Sequence, residues 1–231
     1  MQLLTGDLKN LLNIFLKSSC PLCQRPTSQE LCQNCTKQLQ KCRLPEPRLL
    51  WHQPIPVFAW GTYSGSLKTA LAIMKYQNHP EIARPLGKYL GQTWLSNCPI
   101  SDSQFVVVPI PLHPNRHKKR GYNQAALIAQ SFCQTTGLKL KINGLERTRD
   151  TEAQHKLSES QRKENLAKAF GIGEDFRRNL EASVILVDDI YTTGATAQSA
   201  IQTFHQAGIK VLGLVTTATT LKQENLYKAE V

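Results

Sequence analysis

One run of residues constrains this chain more than any other: Val184-Ile-Leu-Val-Asp188-Asp189-Ile-Tyr-Thr192-Thr193-Gly194-Ala195-Thr196. Its four leading apolar residues read as a buried strand of a parallel sheet. Two carboxylates stand where that strand would end, and a Thr/Gly turn follows. Over 197–207 a helical pattern puts Ala200, Ile201 and Phe204 on one face, with Gly208 in the C′ position. This order sets backbone N–H groups and a helix N-terminus at the carboxyl edge of a sheet, a place that binds phosphate. Carboxylates repel phosphate but accept hydrogen bonds from sugar hydroxyls. The residues therefore point to a sugar phosphate. The plainer alternative is a strand and a capped helix with solvated turn acids. A magnesium-holding nucleotide-hydrolase strand would need a G-x-x-x-x-G-K-[ST] loop, and the chain has none.

A length of 231 residues allows one large domain with a small appendage, and 41% hydrophobic residues suffice for a sizeable core. No apolar run approaches the ~18 residues of a membrane span. Asp7, Lys9, Asn10 and Asn13 interrupt the first apolar stretch, so no signal peptide is expected and the expected compartment is the cytoplasm. The net charge of +11 is uneven: residues 1–150 carry +12 and residues 151–231 carry −1. Such a basic region implies an anionic partner, a polyphosphate ligand or nucleic acid.

Leu8, Leu11, Leu12 and Phe15 give residues 7–17 an amphipathic helical pattern that suits docking on a core. Next come Cys20-Pro-Leu-Cys23 and Cys32-Gln-Asn-Cys35, two C-x-x-C pairs with eight residues between them. Four thiolates from two tight turns suit tetrahedral, structural Zn2+, with no coordination position left for chemistry. Cys42 lies near enough to be a spare ligand but lacks a paired spacing. Four buried thiols without metal are the alternative. Domain boundaries follow at 1–45 for the N-terminal helix and zinc knuckle, 46–56 for a proline-rich linker, and 57–231 for the main domain.

In the main domain a strand is expected from Val57 and a helix with Leu67, Ala70, Leu71 and Met74 inward. Lys75 ends that helix, where it could touch an anion. A further helix is expected over 80–96, strands at Phe105–Pro109 and Val211–Ala218, and a loosely held tail from Leu221. Between Ile110 and Gln124 lies a loop with four fixed positive charges within five residues, ahead of a helix over 122–136. It reads as a solvated turn, a nucleic-acid patch or a clamp for pyrophosphate. Ligand loops of a parallel sheet share one edge, which favours the clamp. No aromatic interleaves residues 116–120, which weakens the nucleic-acid version. His113 and His117 have helical metal spacing, but the prolines argue against a helix there. Gly171 and Gly173 imitate a dinucleotide fingerprint without its third glycine.

The run Val184–Thr196 resembles the phosphoribosyl-pyrophosphate motif of type I phosphoribosyltransferases. That resemblance implies an α/β fold, a parallel sheet flanked by helices. It also implies that Asp188 and Asp189 hold the ribose hydroxyls, while Thr192, Thr193, Gly194, Ala195 and Thr196 wrap the 5′-phosphate. The run Val108-Pro-Ile-Pro-Leu-His113-Pro-x-Arg116-x-x-x-Arg120-Gly-Tyr-Asn123-Gln124-Ala resembles the signature of the ComF family of competence proteins. So does Arg147-x-Arg149-x-Thr151-x-x-Gln154-x-x-Leu157-x-x-x-x-Arg162-x-x-Asn165-x-x-x-Ala169-Phe170. ComF resemblance implies a phosphoribosyltransferase-like domain with an N-terminal zinc finger and a link to DNA uptake in natural transformation.

Arg147, Arg149 and Gln154 match a mobile flap of type I enzymes. With Arg116, Lys119 and Arg120 they are candidates for pyrophosphate, accompanied by Mg2+. In a transferase Asp188 and Asp189 would be the catalytic candidates, placing the sugar and favouring its cationic transition state. No acceptor pocket is legible, so a non-catalytic binder of single-stranded DNA, or an assembly factor for competence proteins, stands as the alternative.

Overall fold

The computed structural model describes residues 18–100, 104–148, 169–176 and 183–221. The 7–17 pattern, Arg149, Gln154, the rest of the flap to Arg162 and the tail after Leu221 lie outside them.

The described chain opens with a short antiparallel pair, β1 (Ser18–Ser19) and β2 (Pro26–Thr27), followed by α1 (Gln33–Gln40). Then come β3 (Val57–Thr62), α2 (Gly65–Tyr76), a 3-10 turn at Pro80–Ile82, α3 (Ala83–Asn97) and β4 (Phe105–Pro109). After β4 the order is α4 (Pro114–Arg120), α5 (Gln124–Thr136), β5 (Lys139–Leu140), β6 (Leu145–Arg147) and β7 (Phe170–Ile172). The chain closes with a 3-10 turn at Glu174–Phe176, β8 (Ser183–Tyr191), α6 (Ala195–Gln206) and β9 (Val211–Thr219).

Five strands form one all-parallel sheet in the order β3-β9-β8-β4-β5. The expected α/β architecture, a parallel sheet flanked by helices, is the one the chain adopts. Its strands are buried on both faces, so their residues alternate between two cores. Val107, Ile185 and Val187 face the core shared with α2, α3 and α5. Val106, Val108, Val184 and Leu186 face the one shared with α6 and the β6–β7 ribbon. In the first core Trp94 meets Trp51, Phe58, Phe105 and Phe132 edge-on, with centroids 5.0–6.3 Å apart. Helices α3 and α5 approach closely because α3 carries Gly87 and Gly91; a Cβ at Gly87 would stand 2.5 Å from the Ile128 carbonyl oxygen.

Two expectations need correction. The acids do not follow the strand but lie within it, since β8 runs to Tyr191. Its pairing with β9 continues past them, at Ile190 with Ala218 and Tyr191 with Thr219. The Pro114–Arg120 stretch is also helical, although its prolines argued otherwise. Pro114 occupies the first helical position, where its missing N–H costs nothing.

Proline-rich residues 46–56 are tied to the sheet. Pro47 O accepts from Ala59 N at 3.0 Å, Leu50 is buried, and Trp51 packs on Trp94. Just before them, Cys42 O accepts from Thr62 N at 2.9 Å, so residues 42–50 cover the open edge of β3. Among the described residues no helix is long and apolar enough to cross a membrane.

Candidate functional site

From β4 the chain moves by way of α5 to β5 on one side, and β8 and β9 return on the other. The switch point therefore lies between the carboxyl ends of β4 and β8, where open parallel sheets bind ligands. Pro109 is paired with Val187, so Asp188 and Asp189 project past the last residue of β4 and face the 110–124 loop. A cleft of about 290 Å³ opens there. Asp188, Asp189, Thr192 and Thr196 line it with Arg116, Arg120 and Arg147. Thr193 is exposed, and Gly194 and Ala195 complete the turn between the two lining threonines.

Gly194 has φ +78°, and a Cβ there would stand 2.8 Å from the Tyr191 hydroxyl. Only glycine fits both constraints easily. It is also the N-cap of α6, so no side chain caps that helix. By contrast α4 and α5 are capped by His113 Nδ1 and Asn123 Oδ1, which accept from Asn115 N at 3.3 Å and Ala125 N at 3.1 Å. Among the described residues no side chain of the cap position takes the first amides of α6, and the helix dipole favours an anion there.

Asp189 is fixed by three bonds. Its amide donates to Asp188 Oδ1 at 2.8 Å, its carbonyl accepts from Thr217 Oγ1 at 2.5 Å, and its Oδ2 is 2.7 Å from Lys75 Nζ. Asp189 is buried and Asp188 half-buried. Burial, and then the neighbouring Asp189 charge, push the Asp188 carboxyl up to about 7, against the pull of the Asp189 amide, Lys75 and Arg147. Burial works against the Lys75 ammonium, but the charge and hydrogen bond of Asp189 outweigh it, and the Lys75 pKa is raised.

The basic loop is anchored from several sides. Asn123 Nδ2 donates to Ile110 O at 3.0 Å, and Tyr122 Oη donates to Met74 O at the end of α2. Arg120 Nη1 donates to Gln124 Oε1 at 2.6 Å. Gln124 is 1% exposed and lines the cleft, and among the described residues its Nε2 has no hydrogen-bond partner within normal range. A buried donor at that place can serve an acceptor held in the cleft. Arg147 reaches the cleft from β6 with its guanidinium 5.3 Å from the Phe170 ring. Lys119 lines an adjoining hollow instead.

In the sequence Lys75 stands out only as a cation near the sheet, and Gln124 only as part of its motif. The period of α2, which buries Met74, was the available signal for Lys75 at the sheet edge. Nothing local signalled the buried amide of Gln124.

At the opposite end of α2, the sulfur atoms of Cys20, Cys23, Cys32 and Cys35 all lie within 4.8 Å of one another, with Cys23 and Cys32 3.5 Å apart. Four sulfurs each ~2.3 Å from a tetrahedral zinc stand a little under 4 Å apart, so the set can hold that ion. The Cys35 amide, by hydrogen bonding, draws the Cys32 thiol down to about 7, toward the thiolate that a metal binds. Cys42 is not one of the cluster; its Sγ faces the Ser64 carbonyl at 3.6 Å.

No family model matches the chain. Among curated proteins it is 28% identical over 209 residues to competence protein F of Haemophilus influenzae, covering 86% of this chain and 89% of that one. It is 30% identical over 195 residues to the DNA utilization protein YhgH of Salmonella typhi, with 79% and 82% covered. Among solved structures it is similar to adenine phosphoribosyltransferase of Leishmania tarentolae, at 13% identity and a TM-score of 0.41 over 79% of this chain and 97% of that one. That likeness is too loose to bear on the site. Competence protein ComFC of Bacillus subtilis is 31% identical over 193 residues, 82% of this chain and 72% of that protein. Identity at that level, sustained over most of both sequences, places the chain in the ComFC/ComF family of competence proteins.

Proposed function

We propose that the cleft binds phosphoribosyl pyrophosphate or a closely related ribose phosphate, in a protein that serves the handling of incoming DNA. One observation carries this reading: the acidic pair and the Gly194 turn open into the same cleft, opposite Arg116 and Arg120. Asp188 and Asp189 would accept hydrogen bonds from the ribose hydroxyls. The uncapped amides of α6, with Thr192 and Thr196, would take the 5′-phosphate. Arg116, Arg120 and Arg147 would face the pyrophosphate, with Arg149 and Gln154 as further candidates. Magnesium would arrive with the pyrophosphate and offset its charge. The competence and DNA-utilization names of the relatives support the cellular setting.

In a transferase, cleavage at the anomeric carbon builds positive charge on ribose and negative charge on the leaving pyrophosphate. In this reading the acids face the ribose and the arginines the leaving pyrophosphate, the two centres where that charge develops. The test is calorimetric titration with phosphoribosyl pyrophosphate and magnesium. Binding by the native chain and its loss in Asp188→Asn/Asp189→Asn supports the site. Equal affinity in both proteins removes the acids from it. Release of pyrophosphate with a panel of bases would then separate an enzyme from a sensor.

A further inference from the structure

The first turn of α2 borders a hollow of about 350 Å³, at the end of that helix opposite the ribose-phosphate cleft. Leu22, Cys35, Gln38, Gly65, Ser66 and Thr69 line it. None of them is Lys, Arg, Asp or Glu, in a chain of net charge +11. A phosphate or a nucleic acid would find no cation there. Leu22 and Cys35 give the hollow apolar walls, and Gln38, Gly65 and Thr69 stand exposed beside them. The described chain enters next to it. Ser18 opens β1, two residues before Cys20, whose sulfur lies within 4.8 Å of the Cys35 sulfur.

We propose that this hollow is the seat of the chain's own residues 7–17, which dock there as a helix with Leu8, Leu11, Leu12 and Phe15 inward. The four residues follow helical spacing, yet an isolated helix of so few residues is marginal in water and needs a surface to hold it. Phe15 stands three residues before Ser18, a stretch that spans at most about 10 Å when extended. It can therefore reach no surface far from the cysteine cluster, and the hollow borders that cluster. A stripe of large apolar side chains suits walls that carry no charge. Asp7, Lys9, Asn10 and Asn13 fall outside the stripe and stay toward water. Docking covers the first turn of α2 and closes the side of the cysteine cluster that Cys35 presents to the hollow. This role is independent of the ribose-phosphate cleft.

The test puts photoreactive p-benzoylphenylalanine at position 15 of the full, zinc-loaded chain and maps its cross-links by mass spectrometry. The expected product is a cross-link within one chain to Leu22, Gln38, Ser66 or Thr69. Thr69→Glu places a charge in the hollow and should lower that yield at least tenfold. Since Thr69 is exposed, this variant should fold normally, which a melting curve checks. In the otherwise native chain, Leu11→Asp should speed amide exchange over residues 65–69 several-fold and leave exchange in β8 unchanged. No cross-link at the hollow, whatever else is caught, overturns the proposal. Capture of a second chain identifies a copy of this protein as the partner of the stripe, and capture of added phosphatidylglycerol vesicles alone identifies a lipid surface. A yield untouched by Thr69→Glu, or exchange untouched by Leu11→Asp, overturns it as well. Titration with phosphoribosyl pyrophosphate plays no part in this test, so the two readings stand or fall separately.

Discussion

Asp188 is the residue whose ionisation matters most. Its carboxyl titrates near 7, far above the ~4 of an unfolded aspartate. Between those values the folded state holds a proton that the unfolded state has released, so stability falls as pH rises from about 4 to about 7. Asp188→Asn removes the titration and leaves the Lys75–Asp189 pair in place. The variant should therefore be more stable than the native chain at pH 8, by roughly 1–2 kcal/mol, with little difference at pH 5. Denaturant melts at the two pH values check this, and equal gains at both would refute it. On the proposed reading the ionised Asp188 is the better acceptor for a sugar hydroxyl, so ribose-phosphate affinity should rise between pH 6 and pH 8. Lys75→Met leaves Asp189 without its cation and should cost about 1–3 kcal/mol, a discount on fully buried pairs because both side chains keep some solvent contact. A melting curve unchanged by this substitution would show that the pair contributes nothing. The acids announce themselves in the sequence because they are adjacent and follow an apolar run. Their lysine partner does not, because α2 and β8 meet only through the fold.

At the scale of elements, the turn before α6 was readable and the helix before α5 was misread. Apolar runs gave β4 and β9 close to their observed extents, whereas β8 continues through Asp188 and Asp189, past the point where its apolar run stops. The prolines around α4 argue against a helix. Yet Pro114 at its first position and Gly121 just past its end, at φ +83°, are the usual marks of a helix's limits. The misreading came from treating proline as a breaker wherever it stands. Gly194 offers the element-scale prediction. Alanine there meets both a left-handed backbone and the Tyr191 hydroxyl. The left-handed conformation alone costs roughly 1–2 kcal/mol for an L residue. Gly194→Ala should lower stability by at least that amount and weaken phosphoribosyl pyrophosphate binding by more than Thr193→Ala, whose side chain is exposed. Thermal melts and the same titration read both effects. Binding weakened equally by the two substitutions would argue against the Gly194 turn as the cradle.

At the scale of the molecule, the two ends of α2 join what the sequence divides. The paired C-x-x-C spacing made the cysteine cluster legible, but not its packing. Cys20, Leu31, Cys35 and Leu39 share one buried core with Leu67, Leu71 and Met74 of α2 and with Ile185 and Val187 of β8. Sites at Cys35 and Lys75 are thus linked through one helix and one core. Stripping zinc with a strong chelator should first expose the amides of residues 18–45 to hydrogen exchange. Loss of that packing should then loosen α2, because its buried face loses neighbours. The expected result is a lower main melting transition together with a several-fold loss of phosphoribosyl pyrophosphate affinity, both restored by added Zn2+. A knuckle that melts in a separate early step, with ligand affinity unchanged, would mean that the cysteine unit only rests on the sheet domain. Exchange rates along α2, from Leu67 to Lys75, decide between the two, since that helix starts beside Cys35 and ends at the partner of Asp189.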